Sequence, residues 1–308
     1  MLEQLLERFR RGDRLALSRL VSLVARGERV EEVLAGAGTP PRPARVVAVT
    51  GSGGVGKSTL VGKLIEQARG HGQTVAVLAC DPQSPLSGGA LLGDRFRMPA
   101  RPADDGIFIR SLAVAGGQGA LAEHLGPLVR LLEAFGFALV LIETVGAGQG
   151  DTAVRDLADV LVLLLQPETG DDLQWEKAGL LEVADVVVIH KADLPGAERV
   201  EAQVLSALGL SDAPPPPVLR VSARTGAGLE QLWEALSTCP PRRGAGHRGR
   251  DLLRLAQEAL AARFVAAEAA RDPRLQRLLS EWQAGQLDQA GAAASLLELL
   301  ARAPQERS

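Results

Sequence analysis

Hydrophobic residues follow two spacings in the central part of the chain. Short continuous apolar runs alternate with longer stretches in which apolar residues recur at helical spacing. Continuous runs of this length are typical of strands buried on both faces in a parallel sheet. The alternation predicts an α/β fold, a doubly wound, mostly parallel sheet. The strand candidates are residues 44–51, 73–81, 106–111, 137–144, 159–167, 184–193 and 217–223. Stretches with helical spacing between them include 57–70, 119–135 and 196–208.

Both ends of the chain have helical patterns. Residues 2–35 predict two or three helices, the second beginning after Asp13, and a Gly- and Pro-rich linker follows at 35–43. A second breaker cluster at 239–250 precedes an Ala- and Leu-rich helical tail at 250–303. This tail is too short to hold a core alone, so we expect it to pack on the main domain or on a second copy. The predicted regions are an N-terminal helical region (1–42), a central α/β domain (43–240) and a C-terminal helical arm (241–308).

Composition describes an ordinary globular protein. The chain has 308 residues, 46 % of them hydrophobic and 23 % charged, with a formal charge of −3. That charge gives no electrostatic reason to expect a nucleic acid or membrane partner. The two cysteines, Cys80 and Cys239, are far apart, which argues against a disulfide framework and a thiolate zinc site. No secretory signal or membrane-spanning run is recognisable, so we expect a cytoplasmic protein.

A glycine-rich loop follows the first strand candidate. Its sequence, GSGGVGKS, fits G-x-x-x-x-G-K-[ST] at every fixed position and lies between a predicted strand and a predicted helix. Such a loop turns its backbone N–H groups around phosphates, with Lys57 reaching the β- and γ-phosphates and Ser58 ligating Mg²⁺. Thr59 is placed to contact the α-phosphate. The sequence therefore predicts a nucleoside triphosphate site. The loop residues are Gly51, Ser52, Gly53, Gly54, Val55, Gly56, Lys57 and Ser58.

Two later segments predict a guanine site. HKAD ends one strand candidate and SART follows the last one, in the order and separation of the N-K-x-D and S-A-x loops of GTPases. Asp193 is the candidate specificity residue, since a carboxylate accepts the ring N–H and exocyclic amine of guanine. Lys191 stacks its stem on the base and Ala223 offers its N–H to the guanine oxygen. His190 replaces the usual Asn; its imidazole has the base N7 or the phosphate-loop backbone as partner, or no ligand role at all. The base-site candidates are His190, Lys191, Asp193, Ser222, Ala223 and Arg224.

Further strand ends carry candidate magnesium and switch residues. Asp81 ends the second strand candidate, where it can bind Mg²⁺ directly or through water; the alternative is a helix N-cap or turn aspartate before Pro82. Glu143 and Gly146 follow an apolar strand where many GTPases carry D-x-x-G. Glu143 can hold a magnesium-bound water, and Gly146 can bring its N–H to the γ-phosphate.

Three longer motifs resemble one family. DPQSPLSGGALLGDRFRM (81–98), ETVGAGQGD (143–151) and GDDLQWEKAGLLEVADVVVIHKAD (170–193) resemble the methylmalonyl-CoA mutase-associated GTPases of the MeaB/ArgK type over most of the chain. The resemblance implies a P-loop GTPase fold and a homodimeric chaperone of an adenosylcobalamin-dependent acyl-CoA mutase. GTP binding and slow hydrolysis, with GTP/GDP and Mg²⁺ as cofactors, would gate cofactor delivery from an adenosyltransferase and mutase reactivation. The C-terminal helices would supply the dimer contact.

The resemblance also carries roles to matching positions. Ser58 and Asp81 would be magnesium ligands, and Asp94 would be a switch acid that approaches the metal as the nucleotide changes. Glu143 and Lys177 would link the nucleotide site to a mobile loop, about residues 166–178, that faces the mutase. The catalytic candidates are thus Lys57, Asp94, Glu143 and Gly146.

The sequence departs from the family pattern in the switch loop. Trp175, after Gln174, stands where Gly is more usual, and Ala178 stands where a second Lys is common. Trp175 is a partner anchor or a buried core residue. Gln174, Trp175 and Lys177 are the candidate partner-switch residues.

Three other functional hypotheses are compatible with the phosphate loop. A nickel metallochaperone needs clustered soft or imidazole ligands, whereas the cysteines and histidines are scattered. An ATP-dependent small-molecule kinase becomes the better reading if His190 abolishes guanine recognition. A non-catalytic scaffold would bind GTP and scarcely hydrolyse it, and a measurable GDP product distinguishes it from a GTPase.

Overall fold

The central architecture is a seven-stranded sheet. The computed structural model describes residues 1–40, 42–82, 104–114, 120–145, 154–167, 175–209, 214–242 and 248–301. The strand order is β3-β2-β4-β1-β5-β6-β7, and every described pair of neighbours is parallel. All seven strands predicted from apolar runs are present, and the predicted α/β fold is confirmed. The strands are β1 (Arg45–Gly51), β2 (Val75–Pro82), β3 (Ile107–Val114), β4 (Leu139–Glu143), β5 (Val160–Leu165), β6 (Val186–His190) and β7 (Val218–Val221).

Helices precede, separate and follow the strands. The N-terminal helices are α1 (Leu2–Arg10), α2 (Arg14–Ala25) and α3 (Val30–Ala37). Asp13 caps α2 by accepting hydrogen bonds from the Leu15 and Ala16 amides, which explains why the helix begins there. The helices between and after the strands are α4 (Lys57–Gly70), α5 (Ala120–Phe135), α6 (Trp175–Val183), α7 (Ala197–Leu208) and α8 (Leu229–Thr238). The C-terminal helices are α9 (Arg248–Ala269), α10 (Pro273–Gln283) and α11 (Gln289–Ala301).

Alternate residues of β1 face opposite layers of the core. Val46 and Ala48 belong to a buried cluster that also contains apolar residues of α1, α2, α3 and α5. Val47 and Val49 belong to the opposite cluster, which α4 and α8 complete. Side chains of a strand alternate between the two faces of a sheet, so β1 is buried on both. The helices on each side cover both faces of the sheet, and this packing positions its carboxyl edge.

The chain forms two compact units, Met1–Ala245 and Gly246–Ser308. In the second unit, Leu275 and Leu300 are buried, whereas Val265, Trp282 and Leu297 are large apolar residues with exposed side chains. The predicted three-part division, at residues 42 and 240, stays a prediction. No helix in the described part of the chain combines the length and hydropathy that crossing a bilayer needs.

Candidate nucleotide site

The glycine loop leaves the carboxyl end of β1, which lies between β4 and β5 in the sheet. Gly51 has a φ of 148°, and an added Cβ would lie 2.6 Å from the Leu164 carbonyl oxygen of β5. Beside Gly53 and Gly54 there is open space, with no heavy atom of the described residues within 4 Å of an added Cβ. The loop therefore packs tightly on the sheet at its start and leaves an open concavity in its middle, which fits a phosphate chain.

The Lys57 ammonium group lies across this loop. Its Nζ donates to the carbonyl oxygens of Gly51, at 2.8 Å, and Ser52, at 3.1 Å, and the side chain is buried. Lys57 is also the first residue of α4, so its position is fixed by the start of that helix. A cation held against the loop in this way is suited to contact the terminal phosphates of a nucleotide.

Ser58 and Glu143 connect the loop to β4. The Ser58 hydroxyl donates to Glu143 Oε1 at 2.6 Å, and both side chains are buried. Glu143 ends β4 and pairs in register with Val49 of β1, which brings it beside the loop. The donated proton leaves the lone pairs of the serine oxygen for a metal, so the donor set fits Mg²⁺, an oxygen-seeking ion.

Two buried threonines, which the sequence reasoning missed, brace the same region. Thr144 Oγ1 donates to Thr50 Oγ1 at 3.1 Å, and the Thr144 amide donates to the Val49 carbonyl at 3.1 Å. A buried hydrogen bond of this kind is worth about 1 kcal/mol net. The pair holds the ends of β1 and β4 together directly under the loop. The sequence signal was a polar residue at the end of each apolar strand.

Several predicted residues lie partly or wholly outside the described structure. Asp81 lies in β2 in register with Ala113 of β3, but its side chain is not among the described ones. Trp175 and Lys177 lie in α6, again without described side chains. Asp94, Gly146 and Gln174 lie outside the described residues. Within the described residues, no group of three or more His, Cys, Asp or Glu gathers as a metal cluster.

The base-site candidates come together beyond β6 and β7. Lys191 adopts a left-handed φ of 56°, which turns the chain so that the Ala192 amide donates to the Val221 carbonyl at 3.1 Å. The Ser222 hydroxyl then donates to Asp193 Oδ1, and Ala223 is buried beside it. Two distant sequence segments thus form one loop pair around the Asp193 carboxylate.

Arg224 contacts the same carboxylate, which the sequence did not indicate. Its Nε and Nη2 donate to Asp193 Oδ2 at 2.9 and 2.6 Å. The hydroxyl of Ser222 and then the guanidinium of Arg224 lower the pKa of Asp193 below its usual 3.8, against the opposing effect of desolvation. Asp193 is therefore an anion at neutral pH, as an acceptor of two guanine N–H groups must be.

His190 bridges the base loop and the phosphate loop. Its Nδ1 lies 2.7 Å from the Val55 carbonyl oxygen, and the side chain is only 3 % exposed. Burial lowers the pKa of the imidazole below 6.5, so the ring is neutral at neutral pH. A carbonyl only accepts, so Nδ1 carries the proton. Of the partners that the sequence left open, the phosphate-loop backbone is the one present in the structure.

Comparison with known proteins agrees with this geometry. The family described as methylmalonyl-CoA mutase-associated GTPase MeaB matches residues 18–268. The chain belongs to this family. A GTPase of Pyrococcus horikoshii is 40% identical over 242 residues, 76% of each chain, and the GTPase ArgK of Escherichia coli is 34% identical over 251 residues, 76% of this chain and 75% of ArgK.

A mouse relative and a solved structure extend the comparison. The mitochondrial methylmalonic aciduria type A homolog of Mus musculus is 40% identical over 200 residues, 62% of this chain and 48% of that protein. A crystal structure described as a LAO/AO transport system kinase covers 98% of both chains, with a TM-score of 0.66 and 25% identity. As a MeaB-family member the protein is a GTPase that binds GTP and GDP, and its fold is the P-loop GTPase fold.

Proposed function

We propose that this MeaB-family GTPase is a homodimeric, cytoplasmic chaperone of an adenosylcobalamin-dependent acyl-CoA mutase. Its nucleotide state would control cofactor delivery from an adenosyltransferase and release of damaged cofactor. The observation that carries the proposal is the family match over residues 18–268, joined to a phosphate loop and a pair of base loops that meet at the carboxyl edge of the sheet. The mouse relative, named for methylmalonic aciduria, supports the same metabolic context.

Hydrolysis at this site rests on positioning and charge. The bond between the γ-phosphorus and the β–γ bridging oxygen breaks, that oxygen leaves with GDP, and the oxygen of a water forms the new bond. Lys57 is placed to neutralise charge on the β- and γ-phosphates, and the loop amides surround them. Mg²⁺, when bound, supplies further neutralisation; Ser58 would hold it, with Asp81 as a second ligand.

Glu143 joins the nucleotide site to the partner-facing segments. Its carboxylate accepts the Ser58 hydroxyl proton, and the chain continues from Glu143 through the ETVGAGQGD motif, where Gly146 would approach the γ-phosphate. A change in metal coordination would therefore act on this segment through Glu143. The conformational switch to which the mutase responds would also include Asp94, Gln174, Trp175 and Lys177.

The C-terminal unit supports a dimer. Val265, Trp282 and Leu297 are large apolar side chains with exposed fractions of 62, 48 and 52 %. Exposed apolar residues of this size, in a helical unit whose described residues include few buried ones, are suited to contact a second copy. The partner copy would then stabilise the arm, as expected for a tail too small to form its own core.

The first test is calorimetric titration with GDP and with ADP, both with Mg²⁺, followed by size-exclusion chromatography with a mutase. We expect GDP to bind at least about tenfold more tightly than ADP, a difference of about 1.4 kcal/mol. We also expect co-elution with the mutase to depend on the nucleotide. Lys57→Ala should weaken both effects, whereas Lys63→Ala should not, because Lys63 is a half-buried lysine on the same helix that pairs with Glu66. Equal ADP binding or no nucleotide-dependent complex would contradict the proposal.

A further inference from the structure

The imidazole of His190 is fixed between two loops. Its Nδ1 lies 2.7 Å from the Val55 carbonyl oxygen, and an added Cβ at Gly56 would lie 2.6 Å from Cε1 of the ring. The ring therefore rests against the backbone of the phosphate loop on one edge. At the same time His190 is the last residue of β6 and begins the loop that carries Asp193.

The second ring nitrogen is buried and has no hydrogen-bond partner among the residues that the structure describes. Nε2 of His190 makes no hydrogen bond although the side chain is only 3 % exposed. A buried polar atom without a partner costs free energy unless a ligand or water satisfies it. Because the ring borders both the phosphate loop and the base loop, a bound nucleotide is the ligand suited to form a hydrogen bond with Nε2.

A neutral imidazole has one N–H, and both of its neighbours in the complex are acceptors. The Val55 carbonyl takes the Nδ1 proton, so Nε2 has only a lone pair. Guanine held by Asp193 through its N1–H and amino group presents N7, also a lone pair, on its opposite edge. An Asn amide has two N–H groups for two acceptors, whereas His has two only after it gains a proton.

We propose that His190 contacts N7 of the bound purine through Nε2 while Nδ1–H stays on Val55, so that nucleotide binding takes up one proton at this ring. The inference rests on the proposed binding of guanine nucleotide at Asp193. His190 is then a positioning residue that connects the purine to the phosphate loop, and the affinity for the nucleotide depends on pH.

The surrounding charges agree with the direction of the effect. Burial lowers the pKa of His190 in the free protein, Lys191 lowers it further, and Asp193 raises it. The phosphate loop contributes the Val55 carbonyl, which favours a ring proton at Nδ1. A ligand that adds an acceptor at Nε2 and anionic phosphates nearby must raise this pKa. Binding therefore tightens as pH falls through the pKa of the complex and levels off below that of the free protein.

The test is calorimetric titration of the full chain with GDP and with 7-deaza-GDP, which has C–H in place of N7. Titrations in two buffers of different protonation enthalpy, between about pH 5.5 and 8.5, give the protons taken up. His190→Asn is the matched variant, because it restores two N–H groups without a titrating ring and reports the ligand's own protonation.

We expect the wild-type protein to take up more protons with GDP than His190→Asn does. We also expect wild type to bind GDP about tenfold more tightly at the acidic end of this pH range than at the alkaline end. With 7-deaza-GDP, which keeps the phosphates and loses the acceptor at position 7, most of the excess uptake should disappear. If wild type and variant show the same proton uptake, or if 7-deaza-GDP retains the excess, the inference is wrong while the GTPase proposal stands. Failure of GDP to bind at any pH would instead overturn the proposed function.

A second readout covers the case in which His190→Asn does not fold. Nitrogen-15 NMR of the wild-type ring follows Nδ1 and Nε2 directly during a GDP titration at about pH 6.5. The proposal predicts that Nε2 changes from an unprotonated to a protonated nitrogen. An Nε2 that remains unprotonated in the complex would overturn it.

Discussion

The hydroxyl of Ser58 donates a hydrogen bond to Oε1 of Glu143 at 2.6 Å, with both side chains buried. This contact joins the first turn of α4 to the end of β4, and so joins the phosphate loop to the strand that leads into the ETVGAGQGD motif. We propose that the metal site and the partner-facing segments affect each other through this contact.

Replacement of Glu143 by Gln tests that contact. The amide oxygen can still accept from Ser58, but the negative charge beside the proposed magnesium site is lost. Loss of such an outer-shell partner typically costs about 10- to 100-fold in metal affinity or activity. We therefore expect GTP hydrolysis, measured as phosphate release at saturating GTP, to fall by about that factor, with a higher Mg²⁺ requirement.

Glu133→Gln is the matched control. Glu133, on α5, is also a buried carboxylate, and it accepts a hydrogen bond from the Ala44 amide at 3.1 Å. It should lower the melting temperature and leave the hydrolysis rate within about twofold of wild type. A wild-type rate and Mg²⁺ dependence in Glu143→Gln would refute the assigned role.

Two glycines of the phosphate loop should respond differently to alanine. At Gly56, with a φ of 99°, the new Cβ would lie 2.6 Å from Cε1 of buried His190. At Gly53 the Cβ would enter open space. We expect Gly56→Ala to lose about 1–3 kcal/mol of unfolding free energy in a urea titration. Gly53→Ala should keep its stability and lose GDP affinity, because its methyl group occupies phosphate space. Equal stabilities, or undiminished GDP binding by Gly53→Ala, would count against this description of the loop.

The strands and the phosphate loop were predictable from sequence for a simple physical reason. Buried parallel strands are continuous apolar runs, and β1, β5 and β6 have no polar residue before their last positions except Arg45 and Thr50. The glycine loop encodes its own conformation through residues such as Gly51 and Gly56, whose positive φ values few other residues adopt. Local sequence therefore carried most of the information for these elements.

Contacts between distant loops were not predictable in the same way. The bond from His190 to Val55 spans 135 residues, and its existence depends on where β6 ends relative to β1. The Thr50–Thr144 and Arg224–Asp193 contacts likewise depend on strand register and on rotamers. A single sequence indicates which residue types gather at the carboxyl edge, but not which atoms meet there.

Asp193→Asn should change the base that the site prefers. The amide replaces one carboxylate acceptor by a donor, so it cannot accept both guanine N–H groups but can donate to the 2-oxo group of xanthine. We expect the affinity for GDP to fall about 100-fold, or 2.7 kcal/mol, and the affinity for xanthosine diphosphate (XDP) to rise. Arg224→Ala removes only an exposed partner of the carboxylate and should change GDP affinity by less than about fivefold. Undiminished GDP affinity in Asp193→Asn would place the base elsewhere.

The discrimination between guanine and adenine should not depend on pH near neutrality. The Ser222 hydroxyl and the Arg224 guanidinium hold the pKa of Asp193 below its usual 3.8. A lowered folded pKa keeps the carboxylate charged at neutral pH, and its contribution is lost only as pH falls through that lowered value. The ratio of ADP to GDP dissociation constants should thus stay constant between about pH 5 and 8. A ratio that falls toward one within this range would show that a different titrating group selects the base. The proton uptake proposed for His190 concerns N7, which both purines share, and leaves this ratio unchanged.

Dimer formation should depend on the exposed apolar residues of the C-terminal unit. The double variant Trp282→Glu with Leu297→Glu places charges where we propose a subunit contact, and sedimentation equilibrium should then give a monomer mass. Gln286→Glu, at an exposed polar position, should remain a dimer. A dimer in the double variant, with unchanged dissociation constant, would exclude this surface as the interface.

The measurement that tests the central claim most directly is single-turnover GTP hydrolysis with and without an adenosylcobalamin-dependent acyl-CoA mutase. If the mutase orders the switch segments around the phosphate loop, the rate should rise by at least about tenfold, with saturation at stoichiometric mutase. Glu143→Gln should abolish most of that increase, and Glu133→Gln should retain it. A rate that no candidate mutase changes would contradict the proposal that this GTPase serves such an enzyme.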